Sequence, residues 1–146
     1  MEWNTSCLIV IKDKWSPYDL LTIFTAHDGQ PENMGMSLYH RFKNTKLVYP
    51  APISANLCDF ANGMQCLAAQ VVEYLKKEVG NCYIYPADSR NKGEQYIYTL
   101  YEKDNIPRMS VSKIYSSVSF YGSETIFNNE ISEFENFMRD LYNKED

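Results

Sequence analysis

Residues 62–80 carry the pattern that most constrains what this chain can fold into. Met64, Leu67, Ala68, Val71, Val72 and Leu75 recur at spacings of three and four, which lines them along one face of a helix. Asn62 or Gly63 can open that helix. Lys76 and Lys77 suit the negative end of its dipole, and Gly80 reads as its stop. A stripe this apolar is stable only when another element covers it. The chain therefore needs strands to lay against it, and it supplies them. Residues 7–12 form a β-branched apolar run, and residues 20–25 form a second, so the two read as a hairpin around the turn-like stretch 15–19.

A turn follows at His27-Asp28-Gly29-Gln30-Pro31. Asp-Gly favours a turn because glycine accepts positive φ, and Pro31 suits a helix start. Met34, Leu38, Tyr39 and Phe42 then keep helical spacing. Residues 44–62, with Pro50 and Pro52, read as a long surface connection. Residues 82–86 read as a short strand and residues 87–93 as a polar loop. Residues 94–102 alternate, with Tyr96, Tyr98 and Leu100 on one face. Residues 109–121 alternate again, joined to the preceding strand by a loop at 104–107. Gly122 and Ser123 read as punctuation. Residues 128–142 read as a closing helix with an apolar stripe at Ile131, Phe134, Met138, Leu141 and Tyr142. The expected fold is one α+β domain over residues 1–146, with three helices and about five to six mostly antiparallel strands.

Length and composition agree. At 146 residues with 45% apolar content, the chain suits one globular domain. No stretch reaches the ~18 apolar residues of a membrane helix, and the first residues lack the basic start of a signal peptide. The expectation is a cytoplasmic protein without a membrane partner. The net charge is −5 and the Lys and Arg residues are scattered. That disfavours a nucleic-acid backbone as partner and fits a basic protein surface. Cys7, Cys58, Cys66 and Cys82 show no CxxC spacing, and with His27 and His40 they complete no zinc pattern. Reduced structural thiols, no metal and no cofactor are expected.

Two segments are candidates for chemistry. His27 and Asp28 pair a titratable imidazole with a carboxylate, and the helix start beyond Pro31 offers N–H groups to an anion. In the plainer reading Asp28 caps the turn, Gly29 makes the bend and His27 bonds to the backbone. The second segment is residues 88–94. Arg90 and Lys92, flanked in sequence by Tyr83, Tyr85, Tyr96 and Tyr98, could grip a phosphate while a tyrosine stacks a base. Its plainer reading is a solvated loop. Asp59, Glu73, Asp88 and Glu94 have no metal-motif spacing. There is no GxGxxG, P-loop, GxSxG or HExxH, so no residue is assigned as catalytic. The candidate ligand-binding set is His27, Asp28, Gly29, Arg90, Lys92, Glu94 and Tyr96.

Residues 21–38, centred on His27-Asp28-Gly29-Gln30-Pro31, resemble a signature found in small uncharacterised proteins of bacteriophages and bacteria. Its pattern is aromatic-x-His-Trp-Asp-Gly-Tyr-Pro-x-x-x-Gly-x-x-Leu. The resemblance extends through residues 62–76, 83–86 and 93–99, so it spans about residues 7–101. The chain departs from it in two places. Asp28 follows His27 directly, and Gln30 stands where the pattern has Tyr or His. The resemblance implies a phage or prophage context in the host bacterial cytoplasm more than a mechanism. Together with the size, the mild acidity, the Tyr-rich segments and the lack of a catalytic signature, the expectation is a non-enzymatic accessory protein. It would bind a host protein, such as a defence component, or a small signalling nucleotide, as an inhibitor or a sponge. Two other expectations stand beside it: a small hydrolase or nuclease-like enzyme using His27 and Asp28, and a homo-oligomeric structural protein.

Overall fold

The structure is a computed structural model that describes residues 5–14, 18–50, 56, 59–116 and 121–145. Strands β1 (Cys7–Lys12) and β2 (Asp19–Thr25) pair antiparallel, as the two apolar runs suggest. Pro31–Gly35 forms one π-helical turn, which leads into helix α1 (Met36–Phe42). The 44–62 connection is not wholly irregular, because β3 (Lys46–Leu47) and β4 (Phe60–Ala61) pair in parallel within it. Thr45, Leu47 and Ala61 are buried there. Helix α2 (Gly63–Leu75) follows, then the edge strand β5 (Cys82–Tyr85). Strands β6 (Tyr96–Lys103), β7 (Ile106–Ser116) and β8 (Tyr121–Glu130) come next, and helix α3 (Phe134–Glu145) closes the described chain.

The six-stranded sheet runs β5-β2-β1-β6-β7-β8, and only β1 and β6 pair in parallel within it. The helices cover one face. Cys7, Ile9, Ile11, Ile23, Tyr98, Leu100, Met109, Val111 and Phe127 meet Leu38, Phe42, Leu67, Val71, Phe134 and Met138 in one core. This is a single compact α+β domain, and among the described residues no helix is long and apolar enough to cross a membrane.

Three expected boundaries move. Helix α2 ends at Leu75, five residues before Gly80, because Lys76 turns extended (φ −84°, ψ 97°). Its ammonium instead donates to the Gly80 and Cys82 carbonyls and ties the 76–82 turn. Residues 121–130, of which Gly122 and Ser123 read as punctuation and 128–130 as the start of a helix, form strand β8. This strand is an edge, and its buried apolar side chain is Phe127. A strand with one buried position gives little alternation to read. The last helix therefore starts later, after a 3-10 turn at Ile131–Glu133. The 104–107 loop is tighter than expected. Asp104 (φ 56°) and Asn105 (φ 63°) alone make a two-residue hairpin of the kind that suits strand twist.

The Asp-Gly turn has an unexpected division of labour. Asp28, not Gly29, takes the left-handed conformation (φ 60°). Glycine is required next to it for closeness. A Cβ at Gly29 would lie 2.9 Å from the Cys7 Cβ and 2.9 Å from the Ser6 carbonyl carbon. Gly29 N–H donates to the Thr5 carbonyl (2.8 Å), and its own carbonyl accepts the Tyr98 hydroxyl (2.7 Å). Burial holds the Tyr98 hydroxyl well above the usual tyrosine range, so it remains a donor. Gly29→Ala should cost about 1–3 kcal/mol by overpacking against backbone. Asp28→Gly should be near neutral, because glycine adopts the same φ without strain. Urea unfolding of the two variants checks the contrast, and equal losses would contradict this division.

Candidate functional site

The seven candidate residues do not converge. His27 and Asp28 stand exposed on the rim of an open groove of about 620 Å³ between the turn, α1 and the end of α2. Glu32, Ser37, His40, Tyr74 and Lys77 line it with them. Asn81 fixes the turn, its Oδ1 accepting the Ala26 and His27 backbone N–H groups at 3.1 Å. Asp28 Oδ1 accepts from Asn33 Nδ2 at 3.2 Å. The N–H groups of Asn33 and Met34 at the expected anion seat already donate to the Gln30 carbonyl (2.9 Å each). Gly29 is buried beneath.

Arg90, Lys92 and Glu94 lie elsewhere. Strands β5 and β6 are not neighbours, since β2 and β1 stand between them. The 86–95 connection crosses those two strands on the face away from the helices. Thr22, which alternates with the core residue Ile23, marks that face, and its hydroxyl donates to the Ala87 carbonyl (2.7 Å). The Arg90 guanidinium bonds Asp19 Oδ2 (2.8 Å) and the Ser89 carbonyl (2.6 Å). Glu94 is buried and accepts the N–H groups of Lys92 (2.6 Å) and Asn91 (3.1 Å). The Lys92 ammonium sits 5.3 Å from the centre of the Tyr85 ring. Of the four expected tyrosines, Tyr85 thus meets a loop cation, Tyr98 is buried on the helix side, and Tyr96 is half-buried there. These charges hold a strap in place.

Of the cysteines, Cys7 and Cys82 are core residues. Burial pushes the Cys7 thiol up to about 12 and raises that of Cys82. Residue 58 is outside the described residues, as are most of the 15–19 turn and Pro52. Among the described residues no His, Cys, Asp or Glu cluster could hold a metal.

A second cavity was not foreseen from the sequence. It measures about 510 Å³ and opens at the C-terminal ends of β1 and β6. Leu47, Val48, Tyr49 and Met64 give it apolar walls, while Asp13, Lys14, Gln65, Glu102 and Asn105 supply polar groups. Gly63 starts α2 at φ 85°, and a Cβ there would stand 3.7 Å from the Tyr49 ring, which lies along the cleft wall. Asn62 makes no side-chain cap to α2. The Lys14 ammonium is 3.8 Å from Glu102 Oε2 and donates to Asn105 Oδ1 at 3.3 Å. The Gln65 amide donates to Asp13 Oδ2 at 3.4 Å. These groups come from four separate parts of the chain, so no local motif announced them. The one sequence signal was Glu102 itself, a carboxylate at the fourth position of the Tyr96, Tyr98, Leu100 stripe.

Compared with known proteins, the chain matches no family model, no curated protein and no solved structure.

The strap gives a pH prediction. Burial raises the Asp19 carboxyl, but the hydrogen bonds and charges of Lys12 and Arg90 outweigh it and hold the group below its ordinary value. Its contribution is therefore present above the unfolded-state value, about 3.9, and is lost as pH falls through the folded one. Asp19→Asn should cost about 1.5–3 kcal/mol at pH 7 and flatten the loss of stability below about pH 4. Chemical denaturation from pH 2 to 7 measures both effects, and parallel curves for the two proteins would count against the anchor.

Proposed function

We propose that this protein is a non-enzymatic binding protein, a phage or prophage accessory factor that captures a host protein or a small signalling nucleotide and so acts against host defence. The observation that carries the reading is the cleft at the ends of β1 and β6. Its volume of about 510 Å³ falls in the range of ligand sites, and an aromatic wall beside a few converging polar groups is how such sites are built. The net charge of −5 favours the protein arm over the nucleotide arm, because a basic partner surface would be drawn to it and a phosphate repelled.

The test has two arms. The protein is used to capture partners from a bacterial lysate, and it is screened by thermal shift against cyclic and linear signalling nucleotides. A true ligand at about 100 times its Kd adds about 2.7 kcal/mol. For a chain of this size that lifts Tm by roughly 5–10 °C. Tyr49→Ala, in the cleft wall, should abolish capture or the shift. Absence of both partner and shift, or retention of either by Tyr49→Ala, would sink the reading.

The enzyme reading keeps one observation in its favour: His27 is exposed and shares a groove with His40. Arg90 and Glu94, which could have completed its site, are engaged in the strap. If His27 worked as a base, His27→Ala would lower a measured hydrolytic rate by about 100-fold or more. An unchanged rate ends that reading.

A further inference from the structure

Glu102 is the most unusual group in the cleft. Tyr96, Tyr98 and Leu100 point from β6 toward the helices, and Glu102 is the next residue on that same face. Its side chain is only 6% exposed. Among the described residues no hydrogen bond reaches its carboxylate, and its charged partner, the Lys14 ammonium, stands at 3.8 Å. The carboxylate oxygens open to the cleft, and an ammonium beyond hydrogen-bond distance leaves them able to accept from a donor that enters it. Asp13 adds a second carboxylate to the same cleft. Beside them stands Tyr49, 84% exposed, with its ring along the wall.

We infer that this cleft receives an arginine side chain from a partner protein, with its guanidinium on Glu102 and its plane against the Tyr49 ring. The inference rests on the binding-protein reading above and names the chemistry that it recognises. Three features favour arginine. Its planar fork can give a carboxylate two hydrogen bonds at once, which the Lys14 ammonium does not. Its flat face stacks on tyrosine, whereas an ammonium is a compact and strongly hydrated charge. The acidic chain around the cleft attracts a cationic segment. Lys14 is then a competitor. Its side chain is 41% exposed and also bonded to Asn105, so it can swing toward Asn105 and solvent when the guanidinium arrives.

That competition makes the test sharp, because a cationic and an anionic ligand respond to the same two substitutions with opposite signs. The full chain is titrated by NMR with an acetylated, amidated Gly-Arg-Gly peptide, with its lysine counterpart, and with inorganic phosphate, all at low salt. The arginine peptide should saturate and shift the amides of Lys14, Gln65, Glu102 and Asn105, and the lysine peptide should bind several-fold more weakly. Glu102→Gln should weaken arginine binding by about tenfold, the loss of one charge-assisted bond. Lys14→Met should tighten it several-fold. Thermal melts of both variants confirm that they are folded, and because Lys14 is a surface residue, its variant gives an answer even if Glu102→Gln is destabilised. No saturable response to the arginine peptide overturns the inference. So does the reverse pattern, in which phosphate binds, Lys14→Met abolishes that binding and Glu102→Gln strengthens it. The two readings fail separately. A captured host protein that binds both variants like the unaltered chain would leave the function standing and remove the arginine. Arginine binding with the expected signs, but no captured partner, would do the opposite.

Discussion

The burial of β1 on both faces is the constraint on which the rest of the structure depends. Cys7, Leu8, Ile9, Val10 and Ile11 are all fully buried. Odd positions face the helices and join the main core, while Leu8 and Val10 face the other way. A strand at the centre of a sheet can be hydrophobic throughout only if both faces are covered. The cover on the second face is the 86–95 strap. It is there because β6 pairs in parallel with β1, and a parallel partner cannot be reached by a tight turn. The chain must leave edge strand β5, cross β2 and β1, and enter β6 from the same end as β1. The continuous apolar run and the parallel pairing are thus one fact seen at two levels.

That crossing accounts for how the polar residues of the strap are used. Arg90 ties it to Asp19 at one side, while Glu94 organises its turn from within. Ser6 then receives it at the start of β1, its hydroxyl donating to the Gly93 carbonyl (2.9 Å) and its carbonyl accepting Gln95 N–H (3.0 Å). One residue earlier, the Thr5 carbonyl accepts the Gly29 N–H of the turn. Two distant stretches that both looked like sites therefore dock on the same dipeptide, and each stabilises the other's anchor. The turn at His27 to Pro31 is a joint, and its glycine is set by how near it comes to Cys7.

How much of this was legible in the sequence follows from the range of the interactions. Helix α2, the β1–β2 hairpin and the face of β6 shared by Tyr96, Tyr98 and Leu100 rest on local periodicity, and all three are present, with α2 stopping at Leu75 instead of Gly80. Strand β8 was not legible, because its burial is decided by the aromatic group of Phe127, Phe134 and Phe137, with ring centres 5.1–5.6 Å apart. That group spans a strand and a helix, so residues 121–130 carry little of it on their own. The same limit applied to the turn. Asp-Gly correctly announced a bend, but the glycine is needed where the turn meets Ser6 and Cys7, more than twenty positions away, and Asp28 takes the left-handed conformation. The cleft was hidden for the strongest version of this reason. Leu47, Asp13, Gln65, Glu102 and Asn105 meet only once the sheet order is known.

Sheet order also gives a reason for the cleft to lie where it does. The strand register places Ile11 beside Leu100, and Asp13 and Glu102, each two residues further on, both line the cleft at the C-terminal ends of the parallel pair. In open sheets, ligands gather outside the carboxyl ends of parallel strands, where the chain diverges and leaves room. Here α2 starts at the same place, with Gly63 held against Tyr49. The opposite end of β1 is filled by Thr5, Ser6, the turn and the strap, all of them bonded to one another. Of the two ends of the central strand, one is spent on holding the fold. The other keeps a carboxylate that opens to the cleft with its charged partner beyond hydrogen-bond distance, where a partner's guanidinium could bond it directly.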